Sequence, residues 1–150
     1  MRGHQIIPQQ WLIVRRHDAG LLTTARSLPR GSGILLLEVL DPKTLRRLRN
    51  LARIRALTII LETRRTAVRV HDLRELTRAL LRRTPMILLS PVHRTSSHPD
   101  WDPLPRMRSA SLARLAGRRA IALGGMNRKR HAAVAALGFV GWAGITAFRT

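Results

Sequence analysis

The sequence predicts an α/β fold organised around a parallel sheet. Apolar runs of strand length recur at 10–14, 33–40, 57–62, 85–92, 120–125 and 139–145. They are apolar at consecutive positions instead of alternating, which is the pattern of strands buried on both faces. Amphipathic helical stretches fall between them, so strand and helix alternate along the chain.

The elements follow in order. "QWLIV" (10–14) and "GILLLEVL" (33–40) are the first two strands. The stretch 41–54 is a helix, with Asp41 as N-cap and Pro42 at the first helical position. Its Leu45, Leu48, Leu51 and Ala52 repeat at helical spacing, with arginines on the other face. "LTIILE" (57–62) is the next strand, and "AVRV" (67–70) is a weaker seventh candidate. Residues 71–83 form a helix in which Asp72 can cap and Leu73, Leu76 and Leu80 make the apolar stripe. "PMILLSPV" (85–92) leads into 93–108, a long loop rich in Ser, Pro, Asp and His. Loops of that length in compact domains are usually functional. A helix at 109–117 ends on Gly117, "AIALGG" (120–125) is a strand, and a helix at 127–138 opens on Asn127 and closes on Gly138. "FVGWAGI" (139–145) is the last strand.

At 150 residues, 45% of them hydrophobic, the chain is read as one domain spanning 1–150 with a real core. It has no cysteine, which excludes disulfides, zinc–thiolate sites and a cysteine nucleophile. The first ten residues contain no long apolar segment, and the 17 uncharged residues of 132–148 fall short of a bilayer span. The expectation is therefore a cytoplasmic protein without a membrane anchor. The formal net charge is +20, and 26 of the 28 basic residues are arginine. That charge predicts salt-dependent, non-specific binding to nucleic acid. A dedicated nucleic-acid binder remains an alternative, but three of the five aromatics sit in apolar strands, which leaves little for a stacking surface. No Ser/His/Asp constellation, P-loop or Rossmann fingerprint is present.

In parallel α/β folds the chemistry sits at the carboxyl ends of the strands. After 120–123 come Gly124 and Gly125, then a helix start; after 139–143 come Gly144, Ile145 and Thr146. Two lips of this kind on neighbouring strands would make a phosphate cup, and two plain glycine turns are the competing reading. Arg94, Thr95, Ser96, Ser97 and His98 follow the 85–92 run and suit a polyphosphate. Glu38 and Glu62 end the second and third runs. They can converge on Mg²⁺ held through a diphosphate, or else pair with Arg64 or Arg65.

Read together, three segments resemble the thiamine phosphate synthase/TenI family. "MILLSPVHRTSSHP" (86–99) is similar to its sixth strand and loop, "RRAIALGGMN" (118–127) to its seventh strand ending Ala-Ile-Gly-Gly, and "ALGFVGWAGITAF" (136–148) to its last unit. "VHDLREL" (70–76) resembles its fifth unit. The likeness covers roughly 68–148. It implies a (β/α)₈ barrel enzyme that joins a thiazole phosphate to hydroxymethylpyrimidine diphosphate with Mg²⁺, or, in the TenI branch, aromatises the thiazole phosphate. By resemblance, Gly124, Gly125, Ile145 and Thr146 hold the phosphate, Thr95 and Ser97 meet the diphosphate, and Arg64, Arg94 and His98 carry the catalytic roles.

Several departures accompany the likeness. The family loop lysine is His98 and its phenylalanine His93. The second-strand glutamine-leucine-arginine motif is absent from 34–41, and the third-strand Asn-Asp-Arg is Glu62-Thr63-Arg64. The Gly-Val-His-Leu-Gly module expected before residue 68 is missing, and seven strands are counted where the barrel has eight. The expectation is a shortened TIM-barrel-like fold lacking about one βα unit, whose open edge a homodimer would cover. A phosphate-binding protein that has lost the chemistry is the alternative to an active transferase.

Overall fold

The computed structural model describes residues 7–15, 18–96, 98–145, 147 and 148. Its strands are β1 (Gln10–Val14), β2 (Gly33–Leu36), β3 (Thr58–Leu61), β4 (Ala67–Val70), β5 (Met86–Leu89), β6 (Ala120–Leu123) and β7 (Gly141–Gly144). The helices are α1 (Leu21–Ser27), α2 (Pro42–Arg55), α3 (Leu73–Leu81), α4 (Arg106–Ala116) and α5 (Arg128–Val134). All seven strands pair in parallel, in the order β3-β2-β1-β7-β6-β5-β4. The sheet curls into an incomplete barrel.

Burial on both faces explains the consecutive apolar runs. One face of the sheet lines the interior with Trp11, Ile13, Leu35, Met86, Leu88 and Ile121. The other carries Leu12, Ile34, Ile87, Leu89 and Trp142 into two clusters beneath the helices. Trp11 lies across Gly33, where a Cβ would overlap the indole, and its Nε1 donates to the Pro8 carbonyl at 2.8 Å. A glycine in β2 is therefore the space that the tryptophan fills.

The caps expected from sequence are present. Asp41 accepts from the Thr44 N–H at 2.9 Å, Asp72 from Glu75 at 2.8 Å and Asn127 from Arg130 at 2.8 Å. Helix α4 begins at Arg106, three residues earlier than its apolar stripe suggests, because its first turn (106–108) is exposed. The helix α1 has no counterpart in the sequence reading. It is only seven residues long and buries Leu21 and Ala25.

The barrel opens between β3 and β4. Residues 62–66 join these strands without a helix. Parallel neighbours need a crossover of about a dozen residues or more. Five residues cannot make it, so β3 and β4 share no ladder and both are edges. The opening falls where the sequence lacks its Gly-Val-His-Leu-Gly module.

Much of this seam is satisfied locally. The Thr58 and Glu62 N–H groups donate to Ser32 and Leu36 at 3.0 and 2.8 Å, so alternation turns Ile59 and Leu61 toward the open side. The Thr66 hydroxyl donates to the Leu61 carbonyl and accepts from the Thr63 N–H at 2.9 Å. On the β4 side the Ala67 N–H donates to Thr63 at 3.2 Å, and the His71 N–H to the Glu75 carboxylate at 2.7 Å. Arg69 pairs with Glu62 at 3.0 Å across the gap.

Replacing Thr66 with Val removes both seam bonds while keeping the side-chain shape. The expected cost is about 1–3 kcal/mol, read as a lower urea midpoint, with Ser restoring most of it. A change of less than about 0.5 kcal/mol would show that the hydroxyl does not seal the edge.

Candidate functional site

Among the cavities at the carboxyl ends of the strands, three meet at Ile145. The one at β6 and β7 has a volume of about 280 Å³ and is lined by Arg94, Thr95, Gly124, Gly125, Arg130 and Ile145, among others. A compartment of about 100 Å³ adjoins it through Thr95, Leu123, Gly124 and Ile145, and contains Arg15, Arg69, His71, His98 and Trp101. A third, of about 660 Å³, shares Arg15, Arg69 and Ile145 and adds Asp18 and Glu38. Ile145 lines all three.

Local packing forms the cup at β6. The Val92 and His93 N–H groups donate to Leu123 and Gly124 at 2.9 and 3.1 Å, pinning the exit of β5 to that of β6. Gly124 and Gly125 have φ of +101° and +58°. A Cβ on Gly124 would lie 2.9 Å from the Pro91 Cα, and one on Gly125 would collide with the Arg94 carbonyl. Positive φ and close backbone approach therefore require glycine at both positions independently of any ligand. What points to an anion is the surrounding charge. Arg130 folds its guanidinium onto the Gly125 carbonyl, and Arg94 also lines the cup. Ala143 and Gly144 keep the β7 side small.

The structure brings together most of the residues singled out from sequence. Gly124, Gly125, Ile145, Arg94 and Thr95 share the cup, and His98 stands in the adjoining compartment. Arg94 is exposed and pairs with Asp102 at 3.3 Å. Ser97 and Thr146 lie outside the described residues. Arg64 is not with the others. Its carbonyl accepts from the Thr84 hydroxyl at 3.2 Å, which places it beside the amino end of β5. Glu62 pairs with Arg69 rather than with Arg64 or Arg65, and its Oε2 is buried without a hydrogen-bond partner among the described residues.

Sequence reasoning missed Arg15, Arg69, His71, Trp101 and Arg130. Arg15 and His71 directly follow β1 and β4, so inspection of every strand exit would have found them. Arg15 donates from Nη2 to His98 Nε2 at 3.2 Å, so that nitrogen acts as acceptor. No cluster of three or more His, Asp or Glu capable of holding a metal exists among the described residues. Nor is any helix there long and apolar enough to cross a membrane.

Solved structures with the same architecture exist. A thiamine phosphate pyrophosphorylase from Pyrococcus furiosus matches with a TM-score of 0.76 and 15% identity, over 93% of this chain and 86% of that one. The chain shares its fold with thiamine phosphate pyrophosphorylase. A second such protein, from Bacteroides thetaiotaomicron, matches with a TM-score of 0.58 and 15% identity, over 93% of this chain and 83% of that one. No family model and no curated protein matches the sequence. The likeness to the pyrophosphorylases is thus one of fold, carried by an open seven-stranded ring.

His93 packs beneath the cup, and its Nε2 is buried without a hydrogen-bond partner among the described residues. Burial, and then the charges of Arg130 and Arg106, hold its pKa below the ordinary 6.5. The unfolded chain therefore binds this proton at higher pH than the folded one. Stability rises with pH through the range just below about 6.5 and levels off above it. Melting temperatures between about pH 5 and 8 should follow that curve, and His93→Asn should flatten its acid limb.

Proposed function

We propose that the cup at β6 and β7 binds a phosphate monoester, and that the ester is a thiazole phosphate handled in the manner of the thiamine phosphate synthase/TenI family. The observation that carries this is the cup itself. Two positive-φ glycines, a flanking guanidinium from Arg130 and small residues on β7 enclose about 280 Å³ at the carboxyl ends of neighbouring strands. Backbone amides and guanidinium groups suit a doubly charged oxyanion. The shared fold and the motif likeness at 118–127 and 136–148 supply the choice of ester.

An active transferase joins that ester to hydroxymethylpyrimidine diphosphate and releases diphosphate. Charge develops on the leaving group, so cations must face it. Arg15 and Arg69 line the cavities beside the cup, and Arg94 lines the cup itself. Asp18 and Glu38 line the cavity of about 660 Å³, and one or two carboxylates with phosphate oxygens suffice for Mg²⁺. The second reading is a ligand-binding protein without turnover. It is favoured by the Glu62–Arg69 pair, which occupies a mouth carboxylate, and by Arg64 lying at the other end of the strands.

Calorimetric titration with inorganic phosphate and with thiazole phosphate tests the cup. Both should bind, and Arg130→Ala should weaken both about tenfold or more. Absence of binding to the wild-type chain would reject the reading. Diphosphate release on adding hydroxymethylpyrimidine diphosphate to the thiazole phosphate complex then separates the transferase from the binder.

A further inference from the structure

The loop after β5 lays an indole over the mouth of the barrel. Its turns are fixed by backbone bonds: His98 to Thr95 at 3.3 Å, Trp101 to His98 at 3.1 Å and Leu104 to Pro91 at 2.8 Å. Trp101 lies flat against the His98 imidazole, with centroids 4.3 Å apart and planes 14° from parallel. The His71 ring meets it edge-on at 5.6 Å and 84°. Each histidine is held in turn. His71 Nδ1 contacts the Glu75 carboxylate at 3.0 Å, and His98 Nε2 accepts from Arg15. The exits of β1, β4 and β5 thus fix the indole in place and orientation. Trp101 remains 45% exposed, whereas Trp11 and Trp142 are 1% and 3% exposed.

Leaving that much indole in contact with water costs free energy that burial would recover. The compartment it walls has an apolar floor of Ile13, Leu37 and Leu123, and it opens into the cup through Gly124 and Thr95. At about 100 Å³ it is smaller than the roughly 150 Å³ that accepts benzene, so a ring against the indole extends into the adjoining cup of about 280 Å³. Electron-rich indole stacks best on flat, electron-poor or cationic rings. The imidazole of His98 already displays that packing within the chain.

We propose that Trp101 is a specificity-determining residue: it forms the stacking wall that selects phosphate monoesters of a single flat ring over aliphatic esters. This rests on the cup holding the phosphate, as argued above. His71 and His98 act as positioning residues that fix the plane of the indole. The phosphate contributes the same interaction to every ester, and Trp101 supplies the difference between them.

Three probes read this out by calorimetry: inorganic phosphate, glycerol 3-phosphate and pyridoxine 5′-phosphate. The wild-type chain should bind the ring ester about tenfold more tightly than the aliphatic one, a difference of about 1.4 kcal/mol. Trp101 is the one exposed tryptophan, so the ring ester alone should quench its emission. Trp101→Ala should abolish the preference while inorganic phosphate binds as before, and Trp101→Phe should restore part of it. Equal affinity of the two esters for the wild-type chain would overturn the proposal and leave the cup standing, as would a preference unchanged in Trp101→Ala. If no probe binds the wild-type chain, the cup and this inference fail together.

Discussion

Five residues cannot carry a chain back across a parallel sheet, and that limit on the link from Leu61 to Ala67 organises the molecule. It forbids β3 and β4 from pairing, so the ring stays open. Opening a ring exposes main-chain donors and acceptors that closed barrels never show. The chain meets this locally, with the Thr66 hydroxyl standing in for a strand at Leu61 and the Glu75 carboxylate for one at His71. Both devices also serve neighbouring structure: Thr66 closes a turn, and Glu75 lies in the first turn of α3.

The seam also sets the electrostatics of the mouth. A closed ring would separate Glu62 from Arg69 by a further strand. Here they meet at 3.0 Å, and one carboxylate that faced the mouth is committed to an ion pair. The remaining charge around the cavities is dominated by Arg15, Arg94 and Arg130, with Asp18 and Glu38 confined to the cavity beside β1. A net charge of +20 on 150 residues makes the whole surface attractive to polyanions. The cup differs from that background because its cations converge on a cavity of fixed shape instead of lying on helix faces.

The architecture was largely legible in the sequence because β1, β2, β5, β6 and β7 are buried on both faces, which leaves unbroken apolar runs. The parallel pairing followed from alternation of elements. The seam followed from the missing module, and the caps at Asp41, Asp72 and Asn127 from single residues. Helix α1 was not legible. Leu21, Leu22, Ala25 and Leu28 carry helical spacing, but seven residues give too little periodicity to stand out. At the site, the glycines and the loop after β5 were found because they directly follow apolar runs. Arg69 was missed because it lies inside a strand, where alternation from buried Ala67 turns it toward the mouth. Proximity in sequence suggested Arg64 as a partner for Glu62, but the turn carries it to the amino end of β5. Trp101 sits within a polar, proline-rich stretch, and only the folded loop brings it onto two histidines from different elements.

The pairing of β1 with β7 sets residues 10–12 against 142–144, almost the full length of the chain apart. The two strands nearest in sequence, β3 and β4, are meanwhile the outer edges of the same sheet. In connectivity the molecule is a linear seven-stranded ribbon whose order has been rotated, with β1 and β7 paired inside it and the edges β3 and β4 joined by five residues. A gene cut at 62–66 and rejoined from Phe148 to Ile7 would read β4 through β7 and then β1 through β3. Every strand would then lie beside its neighbour in sequence. The slowest chain closure would become a short linker, while every ladder of the sheet was kept.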